Sequence, residues 1–132
     1  MTFREALDKH LRAIRERDLP SLIETLPDET LTLIMSDGRL VGTVREFVDL
    51  HRDWFGQATW SLETKVVAWQ ETAQMGHATI HLDYRDESPG GGRTHETSYL
   101  TLIFALRDGK WAMTLDQNTP IKGHGPGTGS GG

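Results

Sequence analysis

Cysteine is absent from the 132-residue chain. That excludes a disulfide framework, a thiolate zinc site, iron–sulfur ligation and a cysteine nucleophile. A basic excess is missing too. The net charge is −5, with Lys and Arg scattered along the chain, whereas a domain that grips nucleic-acid phosphates carries clustered positive charge. No nucleic-acid partner is expected. No apolar run approaches the roughly 18 residues of a membrane span, and the opening stretch MTFREALDKHLRAIRER lacks the apolar core of a secretory leader. These absences point to a cytoplasmic protein with no membrane partner. The chain has no G-x-S-x-G elbow and no dinucleotide fingerprint. The stretch from Asp86 to Arg93, DESPGGGR, lacks the Lys-Ser/Thr of a phosphate loop and opens no helix. Neither a cofactor nor a resident metal is expected.

What is present is globular. Hydrophobic residues make up 36% and charged residues 25%, a balance that folds rather than stays disordered. The length suits one domain able to bury a core unaided. We expect that domain over residues 1–121. Residues 122–132, rich in Gly and without an apolar anchor, are expected to form a flexible tail.

Thr2-Phe3-Arg4-Glu5 has capping-box spacing, and Phe3, Leu7, Leu11 and Ile14 follow at helical intervals. A first helix is predicted from about Phe3 to Arg17. Asp18-Leu19-Pro20 starts a short second helix. A short strand from Thr30 to Met35, a turn at Ser36–Arg39 and a small strand at Leu40-Val41 come next. Thr43-Val44-Arg45-Glu46 is a second capping box. The stripe of Val44, Phe47, Val48, His51, Trp54 and Phe55 makes a third helix, with Gly56 suited to a left-handed C′ position. The period then switches to alternation. Long strands are predicted over Thr59–Glu71, Met75–Arg85, Thr94–Arg107 and Lys110–Asn118, the last two joined at Asp108-Gly109. The fold class is α+β, with N-terminal helices packed on one curved antiparallel sheet.

This order of elements resembles the nuclear-transport-factor-2-like superfamily, in particular its SnoaL-like members and relatives of the calcium/calmodulin-dependent kinase association domain. Two segments carry the resemblance. One is Asp37-Gly38-Arg39-Leu40-Val41-Gly42-Thr43-Val44-Arg45-Glu46-Phe47. The other is Tyr99-Leu100-Thr101-Leu102-Ile103-Phe104 with Arg107-Asp108-Gly109-Lys110-Trp111. It spans about Met1 to Ile121. The resemblance implies a cone-shaped fold whose open end is a pocket, and a homodimer formed through the outer sheet face. It implies several activities (isomerase, dehydratase, cyclase, hydrolase) and also non-catalytic binding and assembly domains, so it gives architecture before reaction. One branch often carries paired histidines and then serines after the Trp of the final strand. Here the chain reads Asp116, Gln117, Asn118 and Thr119, so roles tied to those histidines do not carry over.

Alternation sorts the candidate site residues. On the final strand it puts Trp111, Met113, Leu115 and Gln117 on one face, which we take as inward, making Gln117 a polar group at the mouth of an apolar pocket. Asp116 would serve as a general base if it faced the cavity, because burial would raise its pKa. Tyr84 falls on the apolar side of its strand, where its hydroxyl could meet a ligand carbonyl. His51, Trp54 and Phe55 end the third helix over the sheet as pocket wall, and His51 is a second candidate base. His77, His81 and Asp83 share the opposite, polar face with Thr79. His77 and His81 would lie about 13 Å apart, too far for one metal. With Thr97, Tyr99 and Thr101 they suit a dimer interface. Trp60 and Trp69, nine apart on one strand, should face opposite ways. Three functions fit: a domain binding a small organic ligand, an isomerase-, cyclase- or dehydratase-type enzyme using Asp116 or His51, and a non-catalytic homo-oligomerisation domain.

Overall fold

The structure, a computed structural model, describes residues 1–87 and 90–122. The expected tail therefore lies outside the described residues from 123 onward. The elements run α1 (Phe3–Glu16), α2 (Leu19–Ile23), β1 (Thr30–Ile34), β2 (Leu40–Thr43), α3 (Val44–Phe55), β3 (Trp60–Glu71), β4 (Met75–Glu87), β5 (Arg93–Arg107) and β6 (Lys110–Pro120). Among the described residues no helix is long and apolar enough to cross a membrane.

The predicted caps explain where the helices start. At α1 the box is reciprocal: the Glu5 amide donates to Thr2 Oγ1 at 3.1 Å and the Thr2 amide donates to Glu5 Oε1 at 2.8 Å. At α3 only half of it forms. The Glu46 amide reaches Thr43 Oγ1, but the Glu46 carboxylate takes its bond from the Thr43 hydroxyl instead of the Thr43 amide. Gly56 ends α3 at φ −72°, in the right-handed region, so the expected left-handed glycine is not used there. Arg17 does take that conformation after α1, at φ 57°. Its side chain holds it: the guanidinium lies 3.9 Å over the Trp60 ring and donates to the carbonyls of Gln57 and Trp60.

The six strands form one sheet in the order β2-β1-β6-β5-β4-β3. All neighbours are antiparallel except β1 and β6, which run parallel with Leu33 beside Asp116. Alternation alone could not reveal that pair, because some 80 residues separate the two strands and no hairpin fixes their direction. At the Asp108-Gly109 turn both residues have positive φ, 51° and 77°, the tight geometry that joins β5 to β6.

The helices cover one face of the sheet, and the core lies between. Phe3 is its anchor at one end, with ring centroids 5.5 Å from Phe104, 5.6 Å from Trp111 and 6.1 Å from Trp69. Its ring presses on the backbone of β4 at Gly76, where a Cβ would come within 2.5 Å of Phe3 Cγ. Any side chain at Gly76 would displace the anchor.

Two bulges decide which residues face the helices. An extra residue in β3, between Val66 and Ala68, reverses the alternation halfway along that strand. Trp60 and Trp69 therefore share the helix side, one opposite Asp86 and the other opposite Ala78, contrary to the expectation that they oppose. The second bulge is in β6. Phe104 pairs with Met113 and Ile103 with Leu115, leaving Thr114 extra, its hydroxyl bonded to the Ile103 carbonyl.

Candidate functional site

The bulge at Thr114 changes what β6 shows to the interior. Trp111 and Met113 face the helices as expected, but beyond Thr114 the inward set becomes Asp116 and Asn118. Leu115 and Gln117 turn to the outer face, beside Ile103 and Thr101 respectively. Gln117 is exposed and Asp116 is buried. The expected inward placement of Leu115 and Gln117 is thus corrected, because one unpaired residue inverts a period of two.

Asp116 sits in dry surroundings. Its ladder neighbours are Leu33 on β1 and Leu102 on β5, both buried. Oδ1 accepts a bond from Asn118 Nδ2 at 3.1 Å. Burial outweighs that bond and pushes the carboxyl up from 3.8 to about 7.

A cavity of about 420 Å³ opens against this carboxyl, within the range of small-molecule sites. α1 contributes Leu11 and Ile14, and α3 contributes Leu50, His51 and Trp54. Leu33, Met35 and Ser36 line it from β1 and the turn after it. The remaining wall is Leu62 and Thr64 of β3, Leu82 and Tyr84 of β4, Leu100 of β5, and Asp116 with Asn118 of β6. No Lys or Arg is among these lining residues.

His51 is fixed by its own helix. Nδ1 lies 2.7 Å from the Phe47 carbonyl. A carbonyl can only accept, so Nδ1 carries the proton. The ring stacks on Phe47 at 3.9 Å between centroids, and Trp54 and Phe55 meet it edge-on. Burial holds its pKa below the usual histidine value, keeping the imidazole neutral. Trp54 stacks on Trp60 at 4.1 Å, and the Trp60 indole N–H donates to the Trp54 carbonyl. Tyr84 completes the aromatic wall. Its hydroxyl donates to Asp86 Oδ2 at 3.2 Å, and burial raises its pKa.

Asp116, His51, Trp54 and Tyr84, proposed from the sequence, therefore meet at one cavity. Phe55 backs His51 without lining it, and Leu115 and Gln117 stand on the other side of the sheet. Asn118, Ser36 and Thr64 were missed. Asn118 would have followed from the inward side of β6 had the bulge been visible. Among the described residues no group of three His, Asp or Glu comes together to hold a metal.

A second buried histidine lies outside the cavity lining. The Thr25 hydroxyl donates to the Leu22 carbonyl, so His10 Nδ1–H must donate to Thr25 Oγ1, at 2.7 Å. Burial pushes His10 down to about 3, and its Nε2 has no partner among the described residues.

With this geometry, solved structures supply the comparison. A candidate calcium/calmodulin-dependent protein kinase type II association domain from Thiobacillus denitrificans superposes with a TM-score of 0.75 at 16% identity, covering 92% of this chain and 96% of that one. A candidate dehydratase of the NTF2-like family from Streptomyces avermitilis gives 0.75 at 11% identity, over 91% and 94%. A ketosteroid isomerase-like protein from Erwinia carotovora atroseptica gives 0.74 at 15% identity, over 91% and 94%. The chain has the cystatin-like cone fold of the NTF2-like proteins. No family model matches the sequence, and no curated protein matches it either. Neighbours with such different descriptions share the fold, so at these identities the likeness establishes the fold.

Proposed function

We propose that the cavity holds a small, uncharged, mainly apolar organic molecule, and that Asp116 exchanges a proton with it. The observation that carries this reading is a buried carboxyl, poised near neutrality, on the wall of an otherwise apolar cavity. A carboxyl with a pKa of about 7 is divided between its two forms at neutral pH, which is the condition under which one group can both take and return a proton. The lack of Lys and Arg on the lining disfavours carboxylates and phosphates, whose charge would enter a dry space uncompensated. The reaction class that suits this is proton transfer at a carbon beside a carbonyl, as in an isomerase, a cyclase or a dehydratase. His51, neutral and on the same wall, is the second group available to such a step.

The test is deuterium uptake from heavy water into a panel of small cyclic ketones, with and without a ring hydroxyl, followed by NMR. Uptake above the buffer rate by the wild-type chain, falling by roughly 10²- to 10⁴-fold in Asp116→Asn, supports the reading. Uptake at the buffer rate in every case, or undiminished in Asp116→Asn, removes it.

We also propose that two copies pair through the outer sheet face. Tyr99 is exposed there beside His81, with Ile103 half-buried farther along the same strand and Leu115 half-buried on β6. Aromatic and aliphatic side chains amid polar ones are the composition of an interface. If the pair forms while the cavity binds nothing, the third function, a homo-oligomerisation domain, takes precedence.

A further inference from the structure

We infer that the cavity selects a ligand bearing a hydroxyl or N–H, which donates a hydrogen bond to His51 Nε2. This rests on the reading of the cavity as a ligand site. His51 Nδ1 gives its proton to the Phe47 carbonyl, so Nε2 of the neutral ring offers a lone pair. Among the described residues Nε2 has no hydrogen-bond partner. His10 Nε2 is the one sealed and unpartnered side-chain atom among the described residues, so His51 Nε2 is not sealed, and the cavity is the space its ring lines.

Of the neighbouring polar groups, Tyr84 and Asn118 tilt the same way, while Asp116, divided between its two forms, can donate or accept. Tyr84 directs its proton to Asp86, and its oxygen already accepts from the Trp54 side chain, so it has no proton to give a ligand. Asn118 donates from Nδ2 to the Ile34 carbonyl at 3.3 Å and to Asp116 Oδ1 at 3.1 Å. Both amide protons are then committed, and the Asn118 oxygen is left to accept. Ser36 and Thr64 supply the freely turning hydroxyls on the lining, and Thr64 Oγ1 already accepts from Arg15. A ligand whose polar group can only accept would leave the lone pair on His51 unmet in a dry site, and unmet buried acceptors discriminate strongly. A ligand that donates satisfies it.

Three bicycles of nearly one shape separate the possibilities: indole, which donates through N–H; benzofuran, which can only accept; and indene, which does neither. Binding is read by NMR titration of the protein, for wild type and His51→Phe. The expected result is that indole binds wild type at least about tenfold more tightly than the other two. In His51→Phe the three converge while indene keeps its wild-type affinity. Equal binding of indole and benzofuran to wild type overturns the inference and leaves the cavity as a site. So does an indole preference that persists in His51→Phe. If none of the three perturbs a cavity residue, the cavity reading fails and takes this inference with it.

Discussion

Replacing Asp116 by Asn should stabilise the protein at alkaline pH and change little at acid pH. The carboxyl is raised in the fold from 3.8 to about 7. A raised acid binds its proton more tightly folded than unfolded. Its contribution is thus fully present below about pH 4 and is lost as pH climbs through 7. At about 1.4 kcal/mol per pH unit, the whole loss is roughly 4 kcal/mol. That is a ceiling, because relaxation of the surroundings softens the cost of a buried charge. A fall of about 2–4 kcal/mol in wild type relative to Asp116→Asn between pH 4 and 8 is the expected result. His10 works in the opposite direction. Its pKa drops from 6.5 to about 3, so its contribution is present above 6.5 and is lost on acidification toward 3. Between about pH 4 and 6.5 the two slopes nearly cancel in the wild type. His10 is common to both proteins, so it drops out of their difference. Urea titrations at closely spaced pH values, with Asn carrying nearly the same shape as Asp, give that difference directly. A difference that does not vary with pH would refute the claim that Asp116 is buried and protonated in the fold.

Other perturbations follow from the same geometry. Gly76→Ala should cost about 1–3 kcal/mol, since the new Cβ meets the Phe3 ring at 2.5 Å; Phe3→Leu in the same chain should return part of it, and additive losses in urea melts would count against the contact. His10→Leu should flatten the acid limb of the stability curve, by up to about 5 kcal/mol between pH 6.5 and 3, and an unchanged acid midpoint would contradict a buried neutral His10. Leu100→Trp should fill the cavity and abolish indole binding while circular dichroism stays that of the wild type, and retained binding would place the ligand elsewhere. Light scattering at micromolar concentration should give the mass of two chains, and a strictly monomeric mass would end the proposed pairing.

Element order and boundaries were legible because local rules set them. Capping residues started the helices, the stripe of Phe3, Leu7, Leu11 and Ile14 gave α1 its buried face, and the switch to alternation marked the sheet. The polar outer face of β4, with His77, His81 and Asp83, was also readable, since that strand pairs with β5 without a break. The errors cluster at bulges. Val67 and Thr114 carry no residue-type signature of an extra unpaired position, yet each inverts every side chain beyond it. One inversion put both Trp60 and Trp69 on the helix side. The other exchanged Gln117 for Asp116 at the cavity wall. The parallel register of β1 on β6 was likewise invisible, and it supplies Leu33 as one of the two apolar neighbours that keep Asp116 dry. Candidate residues could be named from the sequence; which of them share a wall depended on long-range pairing.

The most direct test of a proton-exchanging cavity is a carboxyl-carbon NMR titration of the aspartates, with and without indole. One resonance, absent from Asp116→Asn, should titrate near pH 7 and move when indole is added. If all aspartate carboxyls titrate near the ordinary value of about 4 and none responds to indole, Asp116 is neither buried nor part of a ligand site.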